Sequence, residues 1–157
     1  MPWIEHVFFR VAAVSLVLAG CQQQGLPPTV PVRGQVTLDG IPLTKGTVMF
    51  YPDRTRGTAG RMAVGAIGPD GRFTLTSFHR GDGVILGHHV VAVVCETDPP
   101  TMAEASGSKP PRIRSLIPTK YNGPRSSDLR VEIRQGGTDQ CAIHLHSDSS
   151  TKPMVQP

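Results

Sequence analysis

The chain has 157 residues, with 17 glycines, 15 prolines and a net charge of +4. That length supports one domain with its own core, and so much Gly and Pro excludes a bundle of long helices. The basic residues are scattered, with Arg54, Arg56 and Arg61 in one loop and Lys109, Arg112 and Arg114 in another. Nucleic acid asks for a denser stripe or a known module and is not an expected partner; the charge reads as weak attraction to an anionic surface.

The first element, residues 11–19, holds eight apolar side chains and one Ser. As a helix rising about 1.5 Å per residue it falls well short of a roughly 30 Å hydrocarbon core. Extending it back to Val7 adds Phe8 and Phe9 but buries Arg10. It suits the apolar region of an export signal, preceded by "MPWIEHVFFR" with one Arg offset by Glu5.

The run ends at Leu18-Ala19-Gly20-Cys21. This ending resembles the bacterial lipobox: an aliphatic residue, two small ones, then a cysteine. The resemblance implies a diacylglyceryl group on the Cys21 thiol, cleavage between Gly20 and Cys21, and acylation of the freed amine. Each buried CH₂ contributes about 0.8 kcal/mol, so two or three long chains anchor stably. Residues 1–20 are then a cleavable lipoprotein signal peptide. Residues 21–30, with "QQQGLPPTV" after the cysteine, are a lipidated, polar, Pro-stiffened tether. Gln22, not Asp, follows the cysteine. In bacteria that sort lipoproteins by that position, this implies the outer membrane, with the domain facing the periplasm or the cell surface.

From residue 31 to 146 short apolar strands alternate with turns. "VRGQVTL" puts Val32, Gly34, Val36 and Leu38 on one face, and Asp39-Gly40 turns the chain into the region before "TVMFYP". "RMAVGAI" and "RFTLTSF" flank Gly68-Pro69-Asp70-Gly71, a hairpin signal. "GHHVVAVVCE" is the most apolar strand and the expected centre of a sheet, with His89, Val91, Val93 and Cys95 on one face. "LRVEIRQ" alternates Leu129, Val131 and Ile133 with Arg130, Glu132 and Arg134. Gln135-Gly136-Gly137-Thr138 turns into "QCAIHLH", where Cys141, Ile143 and Leu145 face inward. About seven strands with no long helix predict an all-β domain, a single antiparallel β-sandwich of transthyretin-like or immunoglobulin-like type. Residues 97–120 read as a long loop with one helical turn near Ile117–Tyr121, and residues 147–157 as a flexible tail.

"PVRGQVTLDGIPLTKGTVMFYP", "GPDGRFTLTSFHRGDGVILGHHVVAVV" and "SLIPTKYNG" with "SSDLRVEIRQGG" are similar to the small bacterial lipoproteins that carry a carboxypeptidase regulatory-like, transthyretin-like β-sandwich. The resemblance spans roughly residues 18–146. It implies an accessory or displayed module with no chemistry of its own: a lipid-anchored, non-enzymatic component of the cell envelope with a structural or protein-interaction role. The alternative is a module that binds polysaccharide or metal at the membrane surface.

Other side chains invite a site. Cys95 and Cys141 both face inward, and an exported compartment permits a disulfide if their Cα atoms come within about 7 Å; two free buried thiols are the favoured reading. His88, His144 and His146 face outward and read as solvated histidines with no metal expected; the weaker alternative is that they gather as metal ligands if strands 87–96 and 139–146 are neighbours. Arg80-Gly81-Asp82 reads as a turn rather than an adhesion motif. Ser115, Asp128 and the histidines form no nucleophile arrangement, and no phosphate loop or cofactor motif is present, so no enzyme and no cofactor are expected. Tyr51 and Tyr121 are too few for a sugar-stacking platform, while Phe50 and Phe73 read as core. The expected partners are the membrane, through lipid on Cys21, and an envelope protein or polysaccharide.

Overall fold

The computed structural model describes residues 25–98, 113–148 and 154–157. Eleven strands form among them: β1 (Thr29–Val30), β2 (Val32–Leu38), β3 (Ile41–Pro42), β4 (Thr47–Pro52), β5 (Ala63–Ala66), β6 (Arg72–Thr74), β7 (Val84–Ile85), β8 (Gly87–Val94), β9 (Arg130–Ile133), β10 (Thr138–Leu145) and β11 (Met154–Gln156). The domain is all-β, and among the described residues the helical elements are two short 3₁₀ turns, Arg54–Arg56 and Thr119–Asn122. The second lies where a helical turn was expected. Each of the seven expected segments contains a strand, and four short strands are added.

The strands make a sheet ordered β5-β4-β8-β9, a second ordered β11-β10-β2-β3 with β6 also on β2, and the small pair β1-β7. β8 is interior to the first, as its uniformly apolar sequence requires. A strand buried on both faces cannot alternate, and Val90 through Val93 are all buried. β2, β9 and β10 do alternate. Val32 and Val36, Val131 and Ile133, and Cys141, Ile143 and Leu145 meet in one cluster with Val48, Phe50, Phe73, Val91 and Val93. Burial of each larger side chain contributes about 1.5–3 kcal/mol before conformational entropy is subtracted.

Two expectations need correction. The pairing is not wholly antiparallel: β2 and β10 run parallel, with Gly34 opposite Cys141 and Leu38 opposite Leu145, and a register shift between Thr138 and Cys141. Alternation in sequence assigns faces, not partners or directions. Gly34 permits this pairing, because a Cβ there would overlap the Cys141 carbonyl. Nor is the segment 147–157 wholly a flexible tail. Met154–Gln156 pair antiparallel with His144–Ala142, and Val155 packs on the core.

The turns follow their chemistry. Asp39 and Gly40 both take positive φ, 50° and 84°, between β2 and β3. This is the geometry that suits the twist of a two-residue hairpin. At Gly68–Gly71 the Gly71 amide donates to the Gly68 carbonyl at 2.9 Å, and the Gly68 amide to Arg72 at 2.8 Å.

Candidate functional site

Gly20 and Cys21, the expected cleavage and lipidation residues, lie outside the described residues. The chain is described from Gly25 and passes Leu26, 60% exposed, into β1. Residues 22–28 extended reach roughly 25 Å. The end of the domain that carries β1 is therefore tied closely to Cys21.

The three candidate metal ligands are not brought together. His88 lies on β8, in the β5-β4-β8-β9 sheet, whereas His144 is on β10 and His146 just beyond it, in the other sheet. The neighbourhood that a three-histidine site needed does not exist. His144 Nδ1 is 2.9 Å from the Thr37 hydroxyl, its cross-strand partner. His146 Nδ1 is 3.8 Å from the Asp39 carboxylate. Among the described residues no group of three or more His, Cys, Asp or Glu side chains could hold a metal ion.

Cys95 and Cys141 are both free and buried. Cys95 follows β8 in one sheet, and Cys141 sits on β10 in the other. Burial pushes the Cys141 thiol up to about 12 and raises that of Cys95 as well. Both are apolar filling rather than nucleophiles.

The Arg80-Gly81-Asp82 tripeptide is a turn held by its own carboxylate. Asp82 accepts from the amides of Ser77, Phe78 and His79 at 2.7, 2.9 and 2.9 Å. Partial burial raises the Asp82 carboxyl, but these three donors outweigh it and hold it below the ordinary value. An adhesion motif needs that carboxylate presented outward, and here it faces inward into the loop.

Tyr121 is fully buried. Its hydroxyl accepts from the His146 amide at 3.2 Å and lies 3.3 Å from the His146 carbonyl, to which it donates. It is a strut, not a platform. Ser115 donates to the Ile117 carbonyl at 2.7 Å and is likewise spent within its loop. His89 is fully buried beside Phe50, with ring centroids 6.2 Å apart. Its Nδ1 lies 3.0 Å from the Gly87 carbonyl, which fixes the proton there. Its Nε2 has no partner. Burial, the largest influence, lowers its affinity for a proton.

What sequence reading missed is a gathering of arginines. Arg33 on β2, Arg72 on β6 and Arg80 line one shallow groove on the outer face of the β2-centred sheet, with Thr74, Thr76 and Asp139. β2 and β6 pair with Arg33 opposite Thr74 and Gln35 opposite Arg72, so these side chains stand on one surface. The signal was present in the alternation of "VRGQVTL" and "RFTLT", but only the pairing joins them.

Comparison with protein-family models, with curated proteins and with solved structures finds no match to this chain. Function must therefore be argued from the sequence junction at Cys21 and from the surfaces of the domain.

Proposed function

We propose that this protein is a lipid-anchored, non-enzymatic module of a bacterial cell envelope, whose two larger sheets pack as a β-sandwich displayed on a short tether. Its role is structural or one of protein interaction. The observation that carries the reading is the sequence Leu18-Ala19-Gly20-Cys21, which closes an apolar run too short to span a bilayer and gives way at once to polar and Pro-rich residues. The all-β core beginning just beyond that tether is consistent with a carboxypeptidase regulatory-like module. Gln22 after the cysteine favours the outer membrane.

The non-enzymatic part is supported by the fates of the polar side chains. Asp82 and Ser115 hold their own loops, Tyr121 ties its turn to His146, and Cys95 and Cys141 are buried. The alternative of a polysaccharide- or metal-binding module gains little. Tyr121 is not available to stack on a sugar, and His88 lies on a different sheet from His144 and His146.

The test is Cys21→Ala in a bacterium fed labelled fatty acid. The parent is expected to take up label and shorten by the length of the signal. The variant is expected to remain unlabelled and uncleaved. A variant that is processed and partitions into membranes like the parent would overturn the reading. Cross-linking of the anchored parent, followed by identification of what is captured, then names the envelope partner.

A further inference from the structure

We infer that the end of the domain that receives the tether is a docking surface for anionic lipid headgroups, so that the domain stands on the bilayer instead of swinging free above it. The inference rests on the lipid-anchored reading above.

The fold places the surface. β1 pairs with β7, with Thr29 opposite Ile85, immediately before β8 begins at Gly87. Gly87 pairs with Ile133. The chain then turns at residues 135–137 into Thr138, whose amide bonds the Pro31 carbonyl at 3.0 Å. The loop after β4 belongs to the same end, because the Asp53 amide bonds the His88 carbonyl at 2.9 Å and the Thr58 hydroxyl accepts from the His88 amide at 2.8 Å. Gly60 lies against the Ile85 side chain, which carries Arg61 there too. Leu75 bonds Val32, and Gly83 bonds Leu75, so the turn that carries Arg80 returns to this end as well.

Arg33 on β2, Arg54, Arg56 and Arg61 of the loop after β4, and Arg80 thus lie toward the same end of the strands. All five are exposed, and none forms an ion pair with another described residue. Of the acids near them, Glu132 is matched by its own cation, whereas Asp53, Asp82 and Asp139 keep their negative charge and reduce the excess of the five arginines without cancelling it. Asp82 is held by its loop, Asp53 accepts from Thr55, and Glu132 pairs with Arg134 at 3.0 Å; Asp139 stands exposed beside Arg33. The far end of the domain carries Asp39, Asp70, Glu96 and Asp98, with Arg72 paired to Asp70 and Lys45 to Asp98. Two exposed apolar side chains belong to the same segments, Met62 at 40% next to Arg61 and Leu26 at 60% just before β1. Guanidinium groups bind phosphate in a fork geometry, and flanking apolar groups enter the headgroup boundary. A tether of at most roughly 25 Å joins this end of the domain to Cys21.

The experiment uses the full chain isolated from bacterial membranes. It is reconstituted in vesicles of phosphatidylcholine alone or mixed with phosphatidylglycerol. Fatty-acid label on the chain reports the anchor independently. Amide hydrogen exchange reports the dock. Residues 54–61 and 79–81 are expected to exchange roughly tenfold more slowly on anionic than on neutral vesicles, and molar salt should abolish the difference. Arg54→Glu with Arg56→Glu, at exposed positions that leave the core untouched, should abolish it too. Equal exchange on both vesicles for a labelled chain overturns the docking and leaves the anchor standing. A chain without label overturns the anchor and the docking with it. Protection that survives both salt and the two substitutions also counts against the arginine surface.

Discussion

The two larger sheets solve the same burial problem differently. The β8-centred sheet buries its middle strand on both sides: Val90, Val91, Ala92 and Val93 are all within the interior. The β2-centred sheet buries one side only, and its outer face carries Arg33, Gln35, Arg72, Thr74 and His144. A strand closed on both faces has no surface left for recognition. The β2-centred sheet leaves one face open to solvent, while the β8-centred sheet supplies rigidity behind it.

The sharpest way to break this contrast is to charge the closed strand. Val93 is fully buried, so Val93→Asp leaves a lone carboxylate in the core and should cost roughly 5 kcal/mol or more. Circular dichroism should show loss of the β signal at ambient temperature. A folded Val93→Asp chain would mean that β8 is not interior. In the open sheet the most damaging change is to backbone spacing. Gly34→Ala forces β2 away from Cys141 and should cost about 3 kcal/mol in a urea titration, whereas Arg33→Ala next to it, on the solvent side, should change stability by less than about 0.5 kcal/mol.

Much of this contrast was legible in the sequence. The faces of β2, β9 and β10 followed from strict alternation at Val32, Val36, Val131, Ile133, Ile143 and Leu145, because a period of two has one buried solution. The interior place of β8 followed from the absence of alternation. The parallel partnership of β2 with β10 was not legible, since residues a hundred positions apart carry no local mark of direction. The short strands β1, β3, β7 and β11 escaped for a related reason: two or three residues are too few to show a period. Of the candidate sites, the separation of His88 from His144 and the collection of Arg33, Arg54 and Arg80 at one end both depended on pairing, and pairing is a tertiary fact.

Smaller effects sharpen the comparison further. Asp82→Ala removes one acceptor from three amides in the loop that follows β6 and should cost about 2 kcal/mol. His89 makes the closed sheet acid-sensitive. Its folded form resists protonation because of burial, so the unfolded chain binds the extra proton. The His89 contribution is complete above the unfolded value of about 6.5 and declines as pH falls below it. Thermal melts at pH 7.5 and 5 should differ in the parent, and the difference should narrow in His89→Phe; an unchanged difference would remove His89 from the account. The smallest effect belongs to the thiols. Cys141→Ala should cost only about 1 kcal/mol through a small cavity, and reductant should leave the melting temperature of the parent unmoved. A melt lowered by reductant would mean that Cys95 and Cys141 are bridged.

The parallel pairing of β2 with β10 also sets an order of assembly. β2 precedes β10 by about a hundred residues in the chain, so one edge of β2 stays open until residues 138–145 return to it. Nearby hairpins such as β2-β3 form at once, but this seam closes only through a loop of about a hundred residues, with the entropy and delay that high contact order brings. Until then the unsealed edge can pair with another unfolded chain. The return of the last long strand to the first is the expected slow step, and truncation before residue 138 should yield an aggregating product rather than a smaller folded domain.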